Sequence, residues 1–182
     1  EPVLIDNNEI GGNTTGIRIS GQNLRITRNF IGSNYWKDDF GNGYGIVVQN
    51  KNHTIGGSIS NANTIAYNRN GIYLGYLYSE DSVHHNLITY NRFYSNREKS
   101  LDFSDYPPKP IQDSIQPPFI IDYADNTVYG ISGSNHMVQV YEKDASDIVQ
   151  GEVFLDETRA DQDGHWSLSL PDRDLNSICM LA

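Results

Sequence analysis

The stretch Ile5-Asp-Asn-Asn8-Glu-Ile10-Gly-Gly-Asn13 returns as Ile26-Thr-Arg-Asn29-Phe-Ile31-Gly-Ser-Asn34 and again as Ile88-Thr-Tyr-Asn91-Arg-Phe93-Tyr-Ser-Asn96. The shared pattern is Ile-x-x-Asn-x-(Ile/Phe)-x-x-Asn, with a partial copy at Ile65 and Asn68. A second pattern is interleaved with it: Gly16-Ile-Arg-Ile19, Gly45-Ile-Val-Val48, Gly71-Ile-Tyr-Leu74 and Ser100-Leu-Asp-Phe103, which start 29, 26 and 29 residues apart. A unit that recurs at this period and cannot bury its own apolar face must stack on its copies.

Each unit holds three short β-type pieces, such as Gly16–Ser20, Leu24–Thr27 and Phe30–Gly32, separated by Asn or Gly. Aliphatic residues alternate within each piece, so Ile17 and Ile19, or Ile46 and Val48, share one side and face inward. Three strands per unit predict a coil whose inner columns are aliphatic. The recurring Asn residues are expected at its corners, in the left-handed conformation that Gly and Asn adopt most readily, with their amides bonded from turn to turn.

On these residues, together with Asn52-His-Thr-Ile-Gly-Gly57 and Asn63-Thr-Ile-Ala-Tyr-Asn68, the chain resembles the right-handed parallel β-helix proteins of the pectin-lyase-like superfamily. The resemblance covers residues 1–104 and implies an all-β fold of four to five turns. It also implies carbohydrate contact along one outer sheet, and a secreted or cell-surface location. The chain opens in mid-pattern at Glu1-Pro-Val-Leu-Ile5, so this coil is expected to be continuous with upstream β-helix turns.

Composition changes after Phe103. Five of the seven prolines fall at Pro107, Pro108, Pro110, Pro117 and Pro118, which reads as a stiff linker over residues 105–118. Beyond it, Phe119–Asp122, Thr127–Ser132, Met137–Glu142, Glu152–Glu157, Trp166–Leu170 and Ile178–Leu181 read as strands at the rhythm of a β-sandwich, with Val138, Val140, Trp166, Leu168 and Leu170 facing inward. The segment from Gly151 to Leu170 is similar to the small immunoglobulin-like domains that follow such coils in secreted bacterial proteins, here over residues 119–182 and incomplete at the C-terminus. That resemblance implies a spacer or presentation role.

The formal net charge of −10, from 23 acidic and 13 basic side chains, repels phosphate backbones and anionic lipid, so nucleic-acid binding is not expected. No apolar stretch approaches 18 residues, which argues against membrane insertion. The 19 Asn and 16 Gly, with little Ala or Leu, fit an all-β chain. The single Cys179 has no disulfide or CxxC partner and reads as a buried small hydrophobe in a strand.

The outward residues of the Gly-Ile-x-Ile strands form a column of Arg18, Val47, Tyr73 and Asp102, flanked by insertions at Tyr35-Trp-Lys-Asp-Asp-Phe40 and Gly75-Tyr-Leu-Tyr-Ser-Glu-Asp81. Exposed rings stack on pyranose faces while Asp and Arg reach hydroxyls. The candidate carbohydrate-binding residues are therefore Arg18, Trp36, Asp38, Asp39, Tyr73, Tyr76 and Asp102, with a polysaccharide or surface glycan as partner. The plainer alternative is that Trp36, Phe40, Tyr76 and Tyr78 merely close their loops over the coil.

No catalytic set emerges. Asp38 and Asp39 are adjacent and point to opposite sides of an extended loop, whereas glycoside hydrolysis needs two carboxyls facing one bond. Arg18 is the only cation of the column and has no carboxylate beside it, unlike a lyase site. The alternatives to a glycan-contacting scaffold are a fragment of a polysaccharide lyase or glycoside hydrolase, with its active residues upstream, or an adhesin stalk. No cofactor is expected and no specific motif supports Ca²⁺. His84 and His85, on consecutive positions, are expected to face opposite ways and so not to share a metal. Asp161-Gln-Asp-Gly lacks the later ligands of a calcium loop and reads as a hairpin turn.

Overall fold

The computed structural model describes residues 2–75, 83–103, 115, 117–145, 150–171 and 173–181. It divides into two compact units, Glu1–Ser114 with Ala145–Gln150, and Ile115–Asp144 with Gly151–Ala182. The greater part of the proline-rich linker lies outside the described residues.

In the first unit the chain lays down three strands in order and then repeats. The first turn is β1 (Leu4–Asp6), β2 (Glu9–Ile10) and β3 (Thr15–Ile19); the second is β4 (Arg25–Thr27), β5 (Phe30–Ile31) and β6 (Tyr44–Val48). The third is β7 (Thr54–Gly56), β8 (Thr64–Ala66) and β9 (Asn70–Leu74); the fourth is β10 (Leu87–Thr89), β11 (Arg92–Tyr94) and β12 (Leu101–Phe103). Every third strand pairs in parallel, giving three four-stranded sheets ordered β1-β4-β7-β10, β2-β5-β8-β11 and β3-β6-β9-β12. This winding fits a parallel β-helix of four turns.

Register stacks like on like. Ile5, Ile26, Ile55 and Ile88 share one column, Ile10, Ile31, Ile65 and Phe93 a second, and Ile17, Ile46, Ile72 and Leu101 a third. Ile26, Ile31, Ile46, Ile55, Ile65 and Ile72 are wholly buried, each worth roughly 1.5–3 kcal/mol relative to exposure. The glycine at the second position of β3, β6 and β9 has a steric cause. A Cβ on Gly16, Gly45 or Gly71 would stand 2.7, 2.5 or 2.5 Å from the carbonyl oxygen of the equivalent residue one turn on. At the fourth turn that place is taken by Ser100.

Two amide ladders run up the corners. In one, the backbone N–H and side-chain Nδ2 of Asn8 both donate to Oδ1 of Asn29, Asn29 does the same to Asn63, and Asn63 to Asn91, all at 2.9–3.2 Å. In the other, Asn13 donates to Asn42, Asn42 to Asn68 and Asn68 to Asn96, at 2.9–3.3 Å. Asn96 then donates N–H and Nδ2 to Oε1 of Gln150, at 3.0 and 2.8 Å, and Gln150 Nε2 returns a bond to the Asn96 carbonyl. Interior members also donate Nδ2 to a main-chain carbonyl of the preceding turn, as Asn68 does to Ile31.

These ladders correct two expectations. The pattern puts Asn34 in the second ladder, but the inserted loop after Ile31 displaces it and Asn42 takes the rung. The ladder asparagines are also not the left-handed residues. Positive φ falls instead on the residue before six of the eight rungs, at Asn7, Gly12, Arg28, Tyr67, Tyr90 and Ser95, at 52–74°, whereas Ala62, before Asn63, has φ −53°. Side chains other than Gly or Asn are strained there by about 1 kcal/mol each. The fixed rung that follows offsets that strain with several buried hydrogen bonds, each worth about 1 kcal/mol net.

A third corner repeats the device with different chemistry. His53 Nδ1 accepts the Leu24 N–H at 3.2 Å and His53 N–H donates to Asn86 Oδ1 at 3.0 Å, again after left-handed residues at Asn23, Asn52 and His85. Burial pushes the His53 imidazole below its ordinary range, opposed to a lesser extent by the backbone of Gly21. His53 is thus a neutral acceptor in the coil.

The second unit holds six strands: β13 (Phe119–Ala124), β14 (Thr127–Ile131), β15 (Met137–Lys143), β16 (Gly151–Arg159), β17 (His165–Ser169) and β18 (Ile178–Leu181). They form two antiparallel three-stranded sheets, β13-β14-β17 and β16-β15-β18, as six strands were expected to. Val128, Trp166 and Leu170 from one side meet Val138, Val140 and Ile178 from the other in a shared core. Cys179 is buried in β18, where burial first, then the Asp144 charge, pushes its thiol up to about 11. The Asp161 turn is a correction of detail, since it joins β16 to β17 in the opposite sheet and is no hairpin.

Two outcomes follow for unfolding experiments. Asn68→Ala leaves the buried Asn42 N–H and Nδ2 without their acceptor and should cost about 3 kcal/mol or more, whereas Asn13→Ala, at the exposed end, should cost less than about 1 kcal/mol in denaturant titrations. For His53, the unfolded chain takes up a proton that the folded coil resists. Its share of stability is therefore present above about pH 6.5 and is lost as pH falls below that value toward the depressed folded pKa. His53→Asn, which can still accept from Leu24, should flatten this part of the stability profile measured between pH 7 and pH 5.

Candidate functional site

The outward column is in the expected register, with Arg18 beside Val47, Val47 beside Tyr73 and Tyr73 beside Asp102. Three strand spacings separate its ends, so the Arg18 and Asp102 backbones stand about 14 Å apart. The column is not one open groove. Val47 is only 1% exposed, and the half-buried Tyr73 ring packs edge-on against Tyr44 with centroids 5.5 Å apart. Asp102 is held by Lys99 Nζ at 2.7 Å, while Arg18 is exposed and forms no ion pair among the described residues.

The insertion after β5 is a built turn rather than a slack loop. Asn34 Oδ1 accepts the N–H of Trp36 and of Asp38, both at 3.0 Å, and Asn34 Nδ2 donates to Asp38 Oδ2 at 2.9 Å. The Lys37 N–H donates to the Asn34 carbonyl at 3.0 Å, with Lys37 left-handed at φ 63°. At the exit, Phe40 N–H donates to the Gly32 carbonyl and the Phe40 carbonyl accepts from Gly12, which ties the turn to two coil turns. Asp39 Oδ1 accepts the Gly41 N–H at 2.9 Å, and its other oxygen lies 3.8 Å from Arg97.

This closed turn holds two aromatic side chains out in solvent. Tyr35 is 71% and Trp36 78% exposed, with centroids 5.2 Å apart at 85°, and Tyr35 in turn meets the outward ring of Phe30 at 6.4 Å and 78°. Three rings thus run edge to face from the outer surface of β5 to the tip of the turn. Lys37 leans the other way, its Nζ 5.1 Å from the centroid of the Tyr94 ring.

The expected residues therefore fall into separate places. Trp36, Asp38 and Asp39 belong to the turn, where both carboxylates are engaged by the turn itself or by Arg97. Arg18, Tyr73 and Asp102 belong to the outer face of the third sheet, and among the described residues no hydrogen bond, ion pair or ring contact joins the two groups. Tyr76 and Tyr78 lie outside the described residues. Sequence reading missed Tyr35 and Phe30 as members of the aromatic run. The available signal was Phe30, a large ring at an outward strand position directly before an aromatic insertion.

His84 and His85 do not face opposite ways. Their rings touch, with Nδ1 atoms 2.9 Å apart and centroids 4.2 Å apart, because His85 is left-handed at φ 52° and the alternation of an extended strand does not apply. Asp161 Oδ1 accepts the N–H of Asp163 and of His165, both at 2.9 Å, and so serves its own turn. Among the described residues no group of three or more His, Cys, Asp or Glu side chains converges as metal ligands would.

No protein-family model, curated protein or solved structure matches the chain.

Removing the carboxamide that closes the turn should free the ring it carries. In a Trp166→Phe background, Asn34→Ala should lower the fluorescence anisotropy of Trp36 and leave the thermal midpoint within about 2 °C of its parent.

Proposed function

We propose that this chain is part of a secreted or cell-surface scaffold that contacts carbohydrate, with the Tyr35–Trp36 pair as its contact. The observation that carries this reading is the exposure of two adjacent aromatic rings on a turn closed by its own hydrogen bonds. A scattered exposed apolar side chain needs no explanation, but rings held away from the core by a fixed turn form a rigid platform of the kind that stacks on sugar rings at small entropic cost. Phe30 extends the platform along β5.

In this reading the coil is a right-handed parallel β-helix of the pectin-lyase-like type, continuous with further turns, and the second unit is an immunoglobulin-like spacer. The repeat period, the parallel register and the two-sheet core support it. The net charge of −10 disfavours polyanionic chains and nucleic acid, so a neutral polysaccharide or surface glycan is the partner. Arg18, Tyr73 and Asp102 form a second, less exposed strip on the neighbouring sheet. Contact of this kind needs neither metal nor cofactor.

Affinity electrophoresis in gels cast with neutral polysaccharides, alongside a glycan array, tests the proposal. Retention is expected to persist in EDTA and to weaken at least about tenfold in Trp36→Ala and in Tyr35→Ala, as loss of an aromatic anchor does. Absence of retention by any glycan, or equal retention by the Trp36→Ala, Tyr35→Ala double variant, would overturn it. Retention lost only in Tyr73→Ala would move the contact to the strip on the third sheet.

A further inference from the structure

The connection from β9 to β10 carries the adjacent His84 and His85, which belong neither to the aromatic turn nor to the strip on the third sheet. The coil fixes the backbone on both sides of them. Val83 is wholly buried, and the His84 carbonyl accepts the Asn52 N–H at 3.4 Å. The buried Asn86 accepts the His53 N–H and donates Nδ2 to the Asn50 carbonyl, both at 3.0 Å. Between these anchors His85 is left-handed at φ 52°, which brings its ring to the side that His84 occupies. The pairing of the rings is thus set by the main chain of a coil corner, before any ligand arrives.

The Nδ1 atoms form the near edges of the two rings, 2.9 Å apart where the centroids are 4.2 Å apart, with the planes at 77°. A head-on N–H···N bond would hold the centroids about 5 Å apart, so the two nitrogens stand side by side instead of pointing at one another. Two nitrogens bound about 2.0–2.1 Å from one ion stand about 2.9 Å apart when they subtend a right angle, and about 3.3 Å apart at a tetrahedral angle. We propose that His84 and His85 form a two-nitrogen site for copper(II), which binds both Nδ1 atoms at adjacent corners of a square and keeps water on the remaining positions. Imidazole ligands in square-planar or tetragonal geometry suit copper(II) and nickel(II), and copper(II) binds such donors most tightly of the first-row divalent ions. Each neutral ring then carries its proton on Nε2 and gives the Nδ1 lone pair to the ion. His85 is exposed and His84 half-buried, so the ion enters from solvent, and the net charge of −10 attracts it. The site is independent of the carbohydrate contact, which lies on a different insertion.

The test is a titration of the full chain with copper(II) chloride in a non-coordinating buffer, followed by calorimetry and electron paramagnetic resonance. One tightly held copper per chain is expected, with an axial spectrum split by two imidazole nitrogens. His84→Gln and His85→Asn should each weaken binding at least about tenfold and leave one nitrogen in the spectrum, whereas His165→Ala, an exposed histidine elsewhere, should change neither. Asparagine adopts the left-handed backbone readily, so His85→Asn should keep the copper-free thermal midpoint of the parent, which separates loss of a ligand from loss of the corner. Zinc(II), which prefers the wider tetrahedral angle, should bind at least about tenfold more weakly than copper(II). Four results would overturn the proposal: no saturable copper binding, a single-nitrogen spectrum in the parent, binding that survives in the His84→Gln, His85→Asn double variant, or zinc(II) held as tightly as copper(II).

Discussion

The first unit depends on one recurring contact: a buried asparagine oxygen that accepts both the main-chain N–H and the side-chain amide of the rung before it. A coil of very short strands has few ladder bonds per strand and many bends, and each bend leaves peptide groups that water cannot reach. The rung satisfies them. It also fixes the corner, so that aliphatic residues on the next strand fall directly above their counterparts. Without it the columns at Ile26, Ile46 and Ile65 would lose the register that makes their burial complete.

The same contact explains what the coil tolerates. Rungs are joined across sequence separations of 21, 34 and 28 residues in one ladder and 29, 26 and 28 in the other. Extra residues are extruded between strands while the stacking distance stays constant. Insertion is therefore inexpensive at the corners, in line with the slow growth of loop-closure entropy with length. The exposed aromatic turn sits on such an insertion, so a rigid scaffold presents a variable surface. The rung also supports left-handed backbone at Arg28, Tyr67 and Tyr90, residue types that rarely adopt it alone.

Variation of the rung has chemical consequences. At the third corner a histidine replaces the amide, which keeps the acceptor only while the ring is neutral and gives the coil a sensitivity to acid that an all-asparagine ladder lacks. The Asp6–Arg28 pair on the outer surface acts in a different window: Arg28, then Thr27, hold the Asp6 carboxyl at about 2, so its contribution is lost only as pH falls from the ordinary carboxylate range toward that value.

Much of the coil was legible from period and alternation alone. The inward columns, the outward order Arg18, Val47, Tyr73, Asp102 and the six strands of the second unit follow from local pattern, because burial selects aliphatic residues at every second position and steric contact selects glycine at a fixed place. Tertiary structure decided what the pattern leaves ambiguous. Asn34 and Asn42 look alike in sequence, and only the stacking of turns selects Asn42 as the rung and leaves Asn34 to close the aromatic turn. Gln150 as the last acceptor, 54 residues from Asn96, and the contact of His84 with His85 depend on where the backbone bends in space. Periodicity records what each residue must bury, whereas pairing across turns depends on distances that a linear order does not contain.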